Sequence, residues 1–382
     1  MTGIWTTAHL AALAAGDAAF YWAPPPLDHS GRTVRQAVRL RRGGTAIRLV
    51  LSNEYGDGPL ELDEVTVSPS GGGTFLPVPR AGRLRWEIPA GETATSDPVP
   101  VVTVAPVAPV AGDELLVSCF VAGPGPSASY LHSAQRTGAT APGNQAGERE
   151  LRGADQFRSL YWIARVLIDT PASGPVVVAF GDSITRGDKT TPDRDQRYPD
   201  HLQRRLLAAG RSGAVVLNAG LGGNRVLKAG LGPSMGDRFA RDVLSIPEAT
   251  HVIIMGGAND IGLPGLLGGT PPTEAELTDG LLELAVRAKE HGIQPVLGTI
   301  TPFLGADQGI REAVNDALRS QRDWPVADFA AAVADPAGRA RLRPALDSGD
   351  GLHPGDAGAR ALSDAVDLTM FGYSRTLLTL EI

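Results

Sequence analysis

Apolar and polar positions alternate with a period of two through much of residues 1–170, the pattern of strands with one buried face. Ile47, Leu49 and Leu51 alternate with Arg48, Val50 and Ser52. Leu84, Trp86 and Ile88 alternate with Arg85 and Glu87, and Trp162, Ala164, Val166 and Ile168 form a last alternating face. Leu115 to Val121 is nearly all apolar, which suits a strand buried on both sides. Gly and Pro crowd the gaps, as in Gly71-Gly72-Gly73 and Gly123-Pro124-Gly125-Pro126. Arg41-Arg42-Gly43-Gly44 has the look of a hairpin turn leading into the 47–51 strand. Many short strands so punctuated predict an all-β, antiparallel sandwich over residues 1–170.

The pattern changes after Asp169-Thr170-Pro171-Ala172-Ser173-Gly174-Pro175, which has the composition of a short linker. Residues 171–382 carry bare apolar strands at 176–180, 215–218, 251–255 and 295–300. Amphipathic helical patterns fall between and after them, at 200–209, 274–291, 310–320, 326–333 and 358–370. That alternation predicts an α/β domain with a parallel sheet covered on both faces. In such sheets chemistry sits beyond the carboxyl ends of the strands.

Four polar, glycine-containing clusters fall where that rule directs attention. They are Gly181-Asp182-Ser183-Ile184-Thr185, Asn218-Ala219-Gly220-Leu221-Gly222-Gly223-Asn224, Gly256-Gly257-Ala258-Asn259-Asp260 and Asp350-Gly351-Leu352-His353-Pro354. Together they supply the parts of nucleophilic acyl transfer. A serine hydroxyl needs a base, which His353 provides for Ser183. The base needs an acceptor on its other ring nitrogen, and Asp350 lies three residues before it. The oxyanion needs donors: the backbone N–H of Ser183, the N–H of Gly223 and the side-chain amide of Asn259. Bland alternatives exist for each cluster alone, such as a capping serine or a helix-entry histidine. Asp182 is read as structural.

These blocks, in this order and spacing, resemble the conserved blocks of the SGNH (GDSL) hydrolase superfamily. The resemblance spans residues 181 to 354. It implies a flavodoxin-like three-layer α/β/α catalytic domain over 171–382, with Ser183, Asp350 and His353 as catalytic triad and Ser183, Gly223 and Asn259 as oxyanion donors. Gly222 is the alternative for the glycine block. The serine motif is not a G-x-S-x-G elbow, because Asp182 and Ile184 flank the serine. Upstream, Trp5-Thr6-Thr7, Thr33-Val34-Arg35-Gln36 and Ser52-Asn53-Glu54-Tyr55-Gly56 resemble the leader of two-domain bacterial members. In those, a sandwich similar to carbohydrate-binding modules precedes the catalytic domain. Such relatives include esterases and enzymes that move acyl groups to polyketide hydroxyls in antibiotic biosynthesis. The resemblance therefore implies a serine ester hydrolase or, alternatively, an acyltransferase from an ester or thioester to an alcohol. A non-catalytic glycan-binding protein is the third reading, and the complete set of catalytic residue types argues against it.

Composition narrows the partners. The chain has 382 residues and a net charge of −7, against nucleic acid or an anionic membrane surface as partner. One cysteine, Cys119, allows no intrachain disulfide and is expected to be a buried thiol. No apolar run approaches the roughly 18 residues of a membrane span. Asp17 breaks the Ala/Leu-rich stretch from Ala8 to Phe20, so a cytoplasmic protein is expected, with secretion open if the chain is a mature form. Neither a dinucleotide fingerprint nor a P-loop is present, since Arg225 stands where G-x-G-x-x-G needs its last glycine. No cofactor or metal is implied, and the expected partner is a small ester or acyl thioester, with the oligomeric state open. Asn53-Glu54-Tyr55 is expected to be a turn rather than a sugar site, His132 and Pro142-Gly143-Asn144-Gln145 a surface loop with pocket lining as the alternative, and Arg186 to Arg197 a solvated pocket lip. Asp188, Asp193 and Asp195 in that lip are expected to face solvent rather than a cation. The sandwich itself is expected to wall one side of the substrate pocket.

Overall fold

The structure, a computed structural model, describes residues 4–16, 26–70, 72–101, 110–305 and 307–372. Asp17, the end of the Ala/Leu stretch and Gly71 lie outside the described residues.

Two antiparallel sheets face each other in the first half. One runs in the order Trp5–Leu10, Ile163–Asp169, Ala46–Ser52, Val99–Pro100, with Thr93–Thr95 also paired to Ala46–Ser52. The other runs Asp155–Phe157, Gly138–Pro142, Arg32–Arg39, Glu114–Val121, Glu64–Pro69, Leu76–Pro77. Their inner faces share one core that includes Ile47, Leu49, Leu51, Val34, Val38, Val117 and Cys119. This is the predicted sandwich, with local corrections. Arg32–Arg39 and Ala46–Ser52 lie in different sheets, so Arg41 to Gly44 crosses between layers and is no hairpin turn. A bulge between Ile163 and Arg165 shifts the register, so Ile163, Val166 and Ile168 turn inward and the regular 162–168 face is broken. Leu84 is exposed, and the strand covers only Trp86–Ile88. Within Glu114–Val121, Leu116 and Phe120 stay half-buried, so burial on both faces is incomplete.

The second half is a five-stranded parallel sheet in the order Val215–Gly220, Val176–Gly181, His251–Met255, Gln294–Gly298, Val326–Ala327. In sequence numbering of these strands the order is 2-1-3-4-5, the flavodoxin-like arrangement. The Val176–Gly181 strand is buried throughout because both of its faces are covered. Val176, Val178 and Phe180 pack with helices Met235–Phe239, Glu274–Glu290 and Gln308–Ser320. Val177 and Ala179 pack on the other side with Tyr198–Ala208, Phe329–Val333 and Asp356–Asp364. Two predicted helices divide. Residues 326–333 split into the edge strand Val326–Ala327 and a helix capped by Asp328. Residues 358–370 split into Asp356–Asp364 and a 3₁₀ turn, Leu368–Phe371, capped by Asp367.

The two halves interlock. Leu10, on a sandwich strand, belongs to the core of the α/β half, and Leu221 of the α/β half belongs to the sandwich core. At the same seam Asp200 is fully buried and accepts from Arg41 of the sandwich and from Arg197 Nε at 2.7 Å. Burial pushes this carboxyl up, but Arg197 and Arg41 outweigh burial and hold it well below the usual carboxylate range. A group lowered in this way stabilises the fold above its unfolded-state value and loses that contribution as pH falls. We therefore expect Asp200→Asn to cost about 3–5 kcal/mol of unfolding free energy at neutral pH, as for a broken buried ion pair. In denaturant titrations of both proteins, the difference shrinks as pH drops below about 4, the ordinary aspartate value.

Candidate active site

Each parallel strand ends at the same rim, and the chain there turns sharply. The Val176–Gly181 strand passes directly into a single helical turn, Ser183–Arg186. Asp182 caps that turn, its Oδ1 accepting from the Ile184 N–H at 2.9 Å. Asp182 is buried, and burial pushes its carboxyl up to about 6. It makes no hydrogen bond to Ser183 or His353 among those observed, in keeping with a structural role.

Ser183 Oγ lies 2.9 Å from His353 Nε2, and His353 Nδ1 lies 2.8 Å from Asp350 Oδ2. The 347–354 loop holds this geometry with its own backbone. Asp350 Oδ1 accepts from the N–H of Leu352 at 3.0 Å and of His353 at 2.8 Å. Asp347 Oδ1 accepts from Gly349 and Gly351, and the Ser348 N–H donates to the His353 carbonyl at 3.0 Å. The Leu304 N–H, after the fourth strand, donates to the Gly351 carbonyl at 2.9 Å and fixes the loop against the rim. Partial burial pushes the Asp350 carboxyl up, but hydrogen bonds from the His353 ring and backbone outweigh it and hold it well below its ordinary value. A carboxylate accepting from Nδ1 leaves the Nε2 lone pair facing the serine hydroxyl.

The second and third strands bring the predicted amide donors to the same rim. Gly223 follows the Val215–Gly220 strand at φ +66°, and a side chain there would lie 2.0 Å from Leu231 Cδ1. The positive φ favours glycine, and Leu231 would have to shift to admit a side chain. Gly222 packs against the Arg186 guanidinium, where a Cβ would come within 2.2 Å of Nη2. Gly257, at φ +116°, starts the helix Ala258–Leu267 and sets Asn259 in its first turn. One N–H of the Asn259 amide donates to the Asn224 carbonyl at 3.0 Å. The amide's second N–H is then free for a ligand. Asp260 is buried and accepts from the N–H of Val226 at 2.8 Å and of Leu227 at 3.1 Å, tying this helix to the 223–227 turn. Burial pushes its carboxyl up to about 6 against those two bonds.

Several expectations about neighbouring residues change. The 186–197 loop is in part a seam between the halves, although Lys189, Thr191, Asp193 and Arg194 remain exposed as expected of a solvated lip. Arg186 is buried, pairs with Asp188 through Nε at 2.7 Å and Nη2 at 2.6 Å, and donates to the His132 carbonyl at 2.7 Å. Asp193 accepts from the Thr137 N–H and hydroxyl, and Asp195 from Arg136 and from Arg39 at 2.8 Å. His132 is buried, and burial followed by the Arg186 charge lowers its ring to about 3. Gln145 and Asn144 bond within the sandwich, as a surface loop does. Asn53 bridges Gly58 and Ile88 carbonyls at 2.9 Å each, which makes 53–56 a braced turn. Cys119 is buried, and burial pushes its thiol up to about 12. Among the described residues no His, Cys, Asp and Glu side chains gather as a metal site would need, and no helix is long and apolar enough to cross a membrane.

The residues that sequence reasoning missed are the buried charges Arg238, Asp242 and Arg186. Arg238 and Asp242 sit four apart, a spacing that signals a helical ion pair once a helix is suspected there.

Residues 179–361 match the GDSL-like Lipase/Acylhydrolase family. No curated protein matches the chain. Similar solved structures include a lipase/acylhydrolase from Enterococcus faecalis, at 24% identity and TM-score 0.40, covering 50% of this chain and 92% of that one. The M. smegmatis aryl esterase shows 20% identity and TM-score 0.40, covering 50% of this chain and 95% of that one. A GDSL-like lipase from Bacteroides thetaiotaomicron VPI-5482 shows 19% identity and TM-score 0.39, covering 51% of this chain and 87% of that one. With the family match spanning all four polar, glycine-containing clusters, the C-terminal half of this chain is a domain of the GDSL-like lipase/acylhydrolase (SGNH) family, and the protein is an enzyme of the serine esterase or hydrolase kind.

Proposed function

We propose that the protein hydrolyses small-molecule esters through an acyl-enzyme on Ser183. The observation that carries this reading is the unbroken relay from Asp350 through His353 to the Ser183 hydroxyl, at 2.8 and 2.9 Å. Ser183 Oγ attacks the ester carbonyl carbon while its proton passes to His353 Nε2. Asp350 stabilises the resulting imidazolium and keeps the ring oriented. The oxyanion is held by the N–H of Ser183, the N–H of Gly223 and the free amide N–H of Asn259. The tetrahedral intermediate collapses, the ester C–O bond breaks, and the alkoxide leaves with the proton from His353. Water then repeats the sequence: His353 takes its proton, the hydroxide oxygen attacks the acyl carbon, and Ser183 leaves reprotonated.

Transfer to an alcohol in place of water uses every one of these groups. Water is favoured because the His353 and Asp350 side chains retain 14% and 31% of their exposure, so solvent reaches the base.

Three outcomes follow for p-nitrophenyl acetate. Ser183→Ala lowers kcat by about 10³-fold or more, since only donors and binding remain, and intact-mass spectra of that variant show no acetyl adduct. Asp350→Asn leaves the serine in place but removes the acceptor that orients the ring, and kcat falls by about 10²–10⁴-fold. When primary alcohols are added up to molar concentration, free acid remains the main product by chromatography. Dominant acetyl ester at millimolar alcohol would instead establish transfer as the native activity.

A further inference from the structure

The rim that carries the proposed oxyanion donors is built around one buried cation. Arg238 is 1% exposed and lies 4.1 Å from the Phe180 ring centroid. Four of its five N–H donors are engaged. Nη2 donates to the Gly181 carbonyl at 2.7 Å and Nη1 to the Ala219 carbonyl at 2.9 Å. Nη1 also donates to Asp242 Oδ2 at 2.7 Å, and Nε to Asn224 Oδ1 at 2.8 Å. It therefore ties together the end of the nucleophile strand, the end of the next strand and the turn after Gly223. Asn224, itself 2% exposed, offers its carbonyl to the Asn259 amide. Orientation of Asn259 thus depends on a residue that Arg238 holds.

The same network leaves the domain. Helix Met235–Phe239 continues as one π-helical segment, Ala240–Leu244, and there Asp242 accepts from both Arg238 and Arg241. Arg241 donates to the Tyr55 hydroxyl, in the 53–56 turn of the sandwich, and lies over its ring at 5.6 Å. Tyr55 is anchored in turn by its N–H to Ser129 Oγ at 2.9 Å.

We propose that Arg238 is the positioning residue of the oxyanion hole, acting through Asn224 on Asn259, and that Asp242, Arg241 and Tyr55 extend this support to the N-terminal sandwich. The sandwich then contributes to turnover without touching the reacting ester. The inference rests on the reading of Asn259 as an oxyanion donor.

Lysine retains the charge of Arg238 but not the planar fork needed to bridge four acceptors. The full-length wild type, Arg238→Lys, Asn259→Ala and the double variant are compared on p-nitrophenyl acetate, with active sites counted by fluorophosphonate titration of Ser183. Asn259→Ala is expected to lower kcat by about 10²–10³-fold, the effect of losing one such donor. Arg238→Lys is expected to lower kcat by about tenfold with KM changed by less than about twofold, the signature of an interaction made only in the transition state. In the Asn259→Ala background the Arg238→Lys loss shrinks to less than about twofold, because coupled residues are not additive. Tyr55→Phe, which removes one part-buried hydroxyl and keeps the ring, is expected to lower kcat by about two- to fivefold with the same masking. Fully additive losses overturn the positioning role and leave the oxyanion reading intact. Asn259→Ala at wild-type kcat instead overturns the oxyanion reading beneath it. Should Arg238→Lys yield no titratable serine, Tyr55→Phe decides: an unchanged kcat there, or a fall that Asn259→Ala does not mask, overturns the proposed network, and a masked fall supports it.

Discussion

At the end of the Val176–Gly181 strand the Gly181 carbonyl accepts from the Leu221 N–H at 3.0 Å and shares one buried guanidinium with the Ala219 carbonyl of the neighbouring strand. The Arg238 guanidinium meets the Gly181 and Ala219 carbonyls together and takes Asp242 as its counter-charge. A buried cation is costly unless its donors are filled and its charge is matched, and both conditions are met. Burial pushes the Asp242 carboxyl up, while Arg241 and Arg238 outweigh it and keep it below the usual carboxylate range. Ser183 and Gly223 lie next to or two residues from groups that this knot holds, and Asn259 donates to the carbonyl of Asn224, which the knot also holds.

The candidate catalytic blocks were legible in sequence because each is local. A strand end, a sharp turn and a polar side chain are contiguous in the chain, so Gly181 to Thr185 and Asp350 to Pro354 announce themselves. Their convergence follows from a parallel sheet, which collects successive strand ends on one edge. The supporting charges were not legible because their partners lie far off in sequence: Tyr55 and Arg241 are 186 residues apart. Arg186 to Arg197 looked solvated for the same reason. A run of arginines and aspartates gives no sign that Thr137, Arg136 and Arg39 wait across a domain seam.

Fold-level errors have equally physical causes. Alternation in Ile47, Leu49 and Leu51 marks a strand but not the sheet it joins, so Arg41 to Gly44 passed for a hairpin turn although it carries the chain between layers. A short apolar stretch such as 326–333 satisfies strand and helix templates alike. Pairing of Val326 with Leu297 and the Asp328 cap decide it, and neither is visible without the neighbouring strand.

The exchange of Leu10 and Leu221 between the two cores has a bearing on how this architecture tolerates rearrangement. Each half completes the other's interior with one of its own leucines, so a recombination breakpoint placed at the 169–175 segment would cut the chain where the backbone is thin but leave a socket open in both products. A chimaera that exchanges the sandwich must carry a matching leucine into each socket, which makes shape at these two points, more than the linker, the condition for trading one leader domain for another.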